Sequence, residues 1–229
     1  DQQEGSLPEG VARTLVPFED GVSGDYSAVK KTERGLFIDI EDHAGHGVSG
    51  AALRKIAHTP SSIDEDEATL TPSAYIKRLH ERMRTHLKGR STVAASAFEI
   101  LQGQDKKEVR YAGRGNMFML VDGKTGKVKQ QISPELKGAI GVAIVGAIEE
   151  KSVPYEEGDL FVAGTDGLWE LQNNLTEGTA KGLNDFKTIV ENAAQSQKGK
   201  SVEEIRDAIL KAVQNAGTTD DITLIAIQL

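Results

Sequence analysis

Phe37-Ile-Asp-Ile-Glu-Asp42-His-Ala-Gly-His-Gly47-Val-Ser-Gly-Ala-Ala52 carries the reading of this chain. Its first part is an apolar strand that runs into acids. Gly45 and Gly47 then leave little side-chain bulk around His46, so backbone can approach a ligand closely. A helix is expected from about Val48 to His58, where Ala51, Ala52, Leu53 and Ile56 are good formers. Three other segments share the arrangement. Leu160-Phe-Val-Ala-Gly-Thr-Asp166-Gly167 is a second apolar strand meeting an acid and a glycine, Gly217-Thr-Thr-Asp220-Asp221-Ile222 puts two acids before a third, and Gly24-Asp25-Tyr26 is the fourth. A desolvated carboxylate needs a compensating partner, and no Lys or Arg stands beside these acids in the chain. Any one segment alone reads first as Asp-Gly turn chemistry. Four together point to a hard divalent cation with oxygen ligands, Mg²⁺ or Mn²⁺.

Outward from this stretch, residues 1–10 read as a loose polar lead-in, with one domain expected over 11–229. Short apolar runs predict strands at Val11–Phe18, Val22–Val29 and Gly35–Glu41. The acid run Asp64–Glu67 reads as a solvated loop. Thr71-Pro72 opens a helix over 72–88, with Tyr75, Ile76, Leu79, Met83 and Leu87 at helical spacing. Strands follow at 92–101, 108–113, 116–122, 126–132, 143–153 and 159–165, with a hairpin turn between Val121 and Val128. Phe186, Ile189, Val190 and Ala193 mark another helix. Ser201-Val-Glu-Glu204 is a capping box for the next, and Ile222–Leu229 is a closing strand. Two blocks of strands, each followed by two helices, give an α+β class with sheets inside and helix pairs outside.

Composition narrows the chemistry. The 229 residues hold 27 Lys plus Arg against 35 Asp plus Glu, a formal charge of −8 that argues against nucleic acid or an anionic membrane as partner. The absence of cysteine excludes thiol catalysis and a Cys-type zinc site. No apolar run reaches 18 residues, so no membrane insertion is expected. His80 and His86 lack a carboxylate at ligand spacing, Gly123–Lys127 lacks the spacing of a phosphate loop, and Asp64–Asp66 lacks an EF-hand glycine. Neither Ser91 nor Ser96 lies in a nucleophile elbow. Trp169 is expected to pack beneath the Asp166 turn.

Asp42-His-Ala-Gly-His-Gly-Val-Ser-Gly-Ala-Ala52 resembles the Asp-x-x-Gly-His-Gly-x-x-Ala-Ala element of PP2C-type (PPM) metal-dependent phosphatases, in the bacterial branch of sporulation stage II protein E and RsbU. Ser23-Gly-Asp25-Tyr26 is similar to that branch's Gly-Asp-aromatic element, Thr165-Asp-Gly-Leu-Trp-Glu170 to its Ser/Thr-Asp-Gly-Leu-x-Glu, and Asp220-Asp-Ile-Thr-Leu224 to its closing Asp-Asp-x-Thr. Tyr111–Asn116 and Gly141 fall near its Ala-Gly-His-Asn and central glycine, so the likeness spans roughly 20–229.

The resemblance implies a four-layer α-β-β-α sandwich of two mixed, mostly antiparallel sheets. It also implies two divalent cations, Mn²⁺ or Mg²⁺, and hydrolysis of phosphoserine or phosphothreonine on a regulatory protein, such as an anti-sigma-factor antagonist, by two-metal activation of water. Asp42 would bridge the ions beside the backbone carbonyl of His43, Asp166 and Asp220 would hold one, and Asp25 would serve the other. Asp42, Asp166 and Asp220 are thus the expected catalytic set, with His46, Asp221 and Gly167 as accessory candidates. Arg114 stands where the branch often has His, and the proton donor to the leaving group has no assigned residue. Asp39 and Glu41 could also reach the site, although strand alternation is expected to point them away from Asp42's environment or to water. A cytoplasmic output domain fused to a sensor is expected, and a catalytically silent regulatory module on the same fold is the alternative.

Overall fold

A computed structural model describes residues 7–18, 21–45, 47–57, 70–103, 106–172 and 178–229. Twelve strands and four helices follow in chain order. They are β1 (Val11–Val16), β2 (Asp25–Thr32), β3 (Gly35–His43), α1 (Gly47–Ala57), α2 (Pro72–Leu87), β4 (Val93–Gln102), β5 (Lys107–Gly113) and β6 (Met117–Val121). The second half contributes β7 (Val128–Ile132), β8 (Gly138–Ala139), β9 (Ala143–Ile144), β10 (Lys151–Pro154), β11 (Leu160–Gly164), α3 (Thr179–Ser196), α4 (Val202–Ala216) and β12 (Ile222–Gln228). One sheet runs β1-β12-β11-β6-β7, the other β10-β5-β4-β3-β2, and β8-β9 form a small flap. Every strand pair among the described residues is antiparallel.

Alternation along each strand divides the core into three layers. Ile38, Ile40, Phe98 and Ile100 of one sheet meet Phe118, Phe161, Ile225 and Ile227 of the other. Phe98 packs edge-on against Phe118 and Phe161 at centroid distances of 5.4 and 5.6 Å. Each such ring, fully buried, contributes about 2–3 kcal/mol. The opposite faces carry the helices: Phe37, Ala95 and Ala97 pack under Tyr75, Ile76, Leu79 and Met83 of α2. Met117, Met119, Leu224 and Ala226 pack under Phe186 and Val190 of α3 and Ile205 and Ile209 of α4. The result is the expected α-β-β-α sandwich.

Local sequence sets the helix ends. The Thr71 side chain accepts from the N–H of Ala74, with Pro72 in the first turn, and Ser201 with Glu204 closes a reciprocal capping box. Asp122 Oδ1 accepts from the N–H groups of Lys124 and Thr125 at 2.9 and 2.6 Å, which shapes the β6–β7 hairpin. The expected strand over 143–153 is not continuous. β9 ends at Ile144 and β10 starts at Lys151, and Gly146 between them has φ +84°, a turn conformation that ends an extended run. The strand expected at Val22–Val29 starts only at Asp25 and runs on to Thr32. Asp64–Glu67 lies outside the described residues, as does His46.

Candidate active site

The four acid-bearing segments arrive at one end of the sandwich. Asp25 opens β2 and Asp42 lies near the end of β3, and the ladder puts them directly opposite each other. Ile40 and Ile38 face the other sheet, so Asp42, on the same alternation, faces it too. From that other sheet come Asp166, in a single 3-10 turn just after β11, and Asp220 with Asp221, just before β12.

Burial and mutual repulsion define the electrostatics. Asp42 is pushed up to about 8, first by desolvation and then by Asp166, Asp25, Asp220 and Asp221. Desolvation also carries Asp25 to about 7, with the Thr165 and Thr223 hydroxyls opposing it and Asp221 and Asp166 adding to it. Asp166 rises to about 6 through desolvation, Glu170 and Asp220. Each of these three carboxyls thus senses at least one other acid of the group. Among the described residues no three His, Asp or Glu side chains close on one point as a finished ion cage. The donor set is nevertheless hard oxygen throughout, crowded and negatively unbalanced, and this fits a divalent cation rather than a soft one.

The structure separates the two neighbouring acids of the last segment. Asp221 is 3% exposed. Its Oδ1 accepts from the N–H of Phe18 at 2.7 Å and its Oδ2 from the N–H of Gly24 at 2.8 Å. Both oxygens therefore pin the loop leading into Asp25. Asp220 is only partly buried, and its Oδ1 accepts from the N–H of Asp221 at 2.7 Å. Gly167 fits where no side chain would: a Cβ there would lie 2.0 Å from the Asp221 carbonyl oxygen. Trp169 is 5% exposed and tilts against Phe186 at 6.3 Å, under the Asp166 turn as expected.

Three hydroxyls around Asp25 escaped the sequence reading. Thr165 Oγ1 and Thr223 Oγ1 both donate to Asp25 Oδ2, at 2.7 and 2.8 Å, and Ser23 Oγ accepts from the Asp25 N–H at 3.0 Å. For Thr223 the signal available was a hydroxyl at a core position of an otherwise apolar strand, whereas Thr165 and Ser23 lie just outside β11 and β2. Asn116, also buried, donates to the carbonyls of Ile40 and Ala94 at 2.7 and 3.2 Å and so ties together the ends of β3 and β4. Arg114 is exposed and donates to the Gly138 carbonyl. Asp39 and Glu41 are buried on the opposite face of β3, as alternation predicts, where they share the Tyr75 hydroxyl proton. The His43 imidazole lies on that face too, 2.7 Å from Glu41.

Across residues 32–229 the chain matches the family described as stage II sporulation protein E (SpoIIE). No curated protein matches it significantly. Among solved structures it is similar to the SiaA PP2C domain of Pseudomonas aeruginosa, with a TM-score of 0.77 and 21% identity over 98% of this chain and 86% of that one. The PP2C phosphatase domain of SpoIIE from Bacillus subtilis, solved with a fragment of its regulatory domain, gives 0.71 and 17%, covering 96% of this chain and 61% of that one. RsbX in complex with magnesium gives 0.60 and 21%, covering 96% and 94%. The shared architecture is the PP2C-type phosphatase fold. Among the described residues no helix is long and apolar enough to cross a membrane.

Proposed function

We propose, since the chain belongs to the stage II sporulation protein E (SpoIIE) family, that it is a metal-dependent serine/threonine protein phosphatase acting on a phosphorylated regulatory protein. The observation that carries this reading is the gathering of Asp25, Asp42, Asp166 and Asp220 from four chain segments, with each carboxyl raised by burial or by its neighbours where a shift is resolved. Asp42, the His43 carbonyl, Asp25, Asp166 and Asp220 would hold two divalent cations, Mn²⁺ or Mg²⁺. Bound there, such ions supply the Lewis acidity that activates water and offsets phosphoryl charge. The protein's own groups prepare the place. Thr165 and Thr223 hold one oxygen of Asp25, and the other would be the one offered to an ion. Asp221 fixes the loop that delivers Asp25. An anti-sigma-factor antagonist is the substrate class favoured by the branch, with residues 11–229 as one cytoplasmic catalytic domain fused to a sensor.

Hydrolysis of a phosphoserine protein should require added Mn²⁺ or Mg²⁺ and vanish in Asp42→Asn and Asp166→Asn variants that still fold. Full turnover after EDTA treatment would sink the reading. Partner binding without any Mn²⁺ binding would instead establish a catalytically silent module.

A further inference from the structure

β3 carries a second ionisable row, on the face turned away from the acid cluster. Asp39, Glu41 and His43 alternate with Ile38, Ile40 and Asp42 and lie beneath α2, 2%, 0% and 1% exposed. Their cross-strand partners on β4 are Ala97, Ala95 and Val93, and two alanines there leave room for polar groups. Tyr75 of α2, 3% exposed, enters that room. Its single hydroxyl proton is shared between Asp39 Oδ2 and Glu41 Oε1, the latter at 3.1 Å. The other Glu41 oxygen, Oε2, lies 2.7 Å from His43 Nε2. An unbroken chain of buried hydrogen bonds therefore runs from α2 to His43, the residue after Asp42.

We propose that Tyr75 is a positioning residue for the ion site: through Glu41 it fixes the His43 imidazole and, with it, the His43 carbonyl beside Asp42. This inference rests on the metal-dependent reading above. Its physical basis is that groups behind a ligand set the ligand's orientation and are costly to remove. A buried carboxylate, imidazole and phenol in a largely apolar layer also carry a desolvation cost that packing alone does not require. Gly24 lies close to the His43 carbonyl as well, since a Cβ there would lie 3.0 Å from that oxygen.

The test is Mn²⁺ titration calorimetry of the full chain, with thermal melting and kcat and KM measured alongside. Tyr75→Phe and Glu41→Gln should each weaken Mn²⁺ binding about tenfold or more. The double variant should lose little beyond the worse single one, because both break the same relay. Tyr155→Phe is the control: its buried hydroxyl donates to the Leu101 carbonyl at 2.8 Å, elsewhere in the sandwich, so melting should fall while Mn²⁺ affinity holds. If Tyr75→Phe does not fold, Glu41→Gln, which keeps volume but puts an NH2 donor in place of one acceptor oxygen and removes the charge, decides. Variants that bind Mn²⁺ within about twofold of the unaltered protein, while that protein binds it normally, would overturn the relay and leave the phosphatase reading standing. An unaltered protein that binds no Mn²⁺ would overturn both.

Discussion

Asp25 and Asp42 are cross-strand partners, two carboxylates facing each other across β2 and β3 where the sheet opens to its neighbour. Like charges placed directly opposite destabilise an antiparallel pair, and here both are largely desolvated. The fold tolerates this arrangement at the one end where four acid segments meet.

The first consequence is a pH dependence. Asp25, Asp42 and Asp166 titrate near 7, 8 and 6 in the fold, against 3.8 as the ordinary value. Over that interval the folded protein binds protons that the unfolded chain has released, so stability falls as pH rises. In EDTA the melting temperature should drop progressively from about pH 4 to about pH 8, and saturating Mn²⁺ should flatten the drop. Differential scanning calorimetry across pH, with and without Mn²⁺, checks both arms. A metal-free protein that gains stability over this range would contradict the argument.

Neutralising one acid should separate stability from activity. Asp42→Asn removes a charge that Asp25, Asp166 and Asp220 all oppose. At pH 8 without metal, this variant should melt at or above the temperature of the unaltered protein while losing hydrolysis. A loss of both would point to a folding role instead.

Thr165→Val and Thr223→Val preserve shape but each removes a donor from Asp25 Oδ2. Leaving a buried carboxylate oxygen short of a partner costs about 1–3 kcal/mol. Denaturant unfolding should show that loss for each, and their combination should be non-additive because they share one oxygen.

Asp221→Ala should act through the loop rather than through ions. Two backbone N–H groups, those of Phe18 and Gly24, lose their acceptor, at about 1–3 kcal/mol in total stability. Mn²⁺ affinity should fall less than in Asp220→Ala. Calorimetric titration of the two variants side by side gives the comparison.

The element pattern was readable because periodicity records which face is buried. Tyr75, Ile76, Leu79 and Met83 all enter the core as their spacing requires, and Ser201 and Glu204 cap α4 as their types require. Asp25, Asp42, Asp166 and Asp220 stood out in the sequence as acids at the ends of apolar strands without nearby bases in the chain, and the fold brings their segments to one end of the sandwich. What the sequence hid depends on contacts across sheets. Thr165 and Thr223 meet at Asp25 from positions 140 and 198 residues away, and nothing local distinguishes Asp221 the tether from Asp220. The Tyr75 row was concealed for the same reason, since Tyr75 sits at an apolar helix position and only the fold brings Asp39 and Glu41 beneath it.

β12 lies between β1 and β11, inside its sheet rather than at the edge, although it is the last strand of the chain. It brings Thr223 and follows directly on Asp220 and Asp221. Among the described residues β12 is the strand that pairs with β1, and Thr223 on it supplies one of the two hydroxyl donors to Asp25. Closing this sheet and completing the surroundings of Asp25 are therefore a single event, and loosening one strand undoes both.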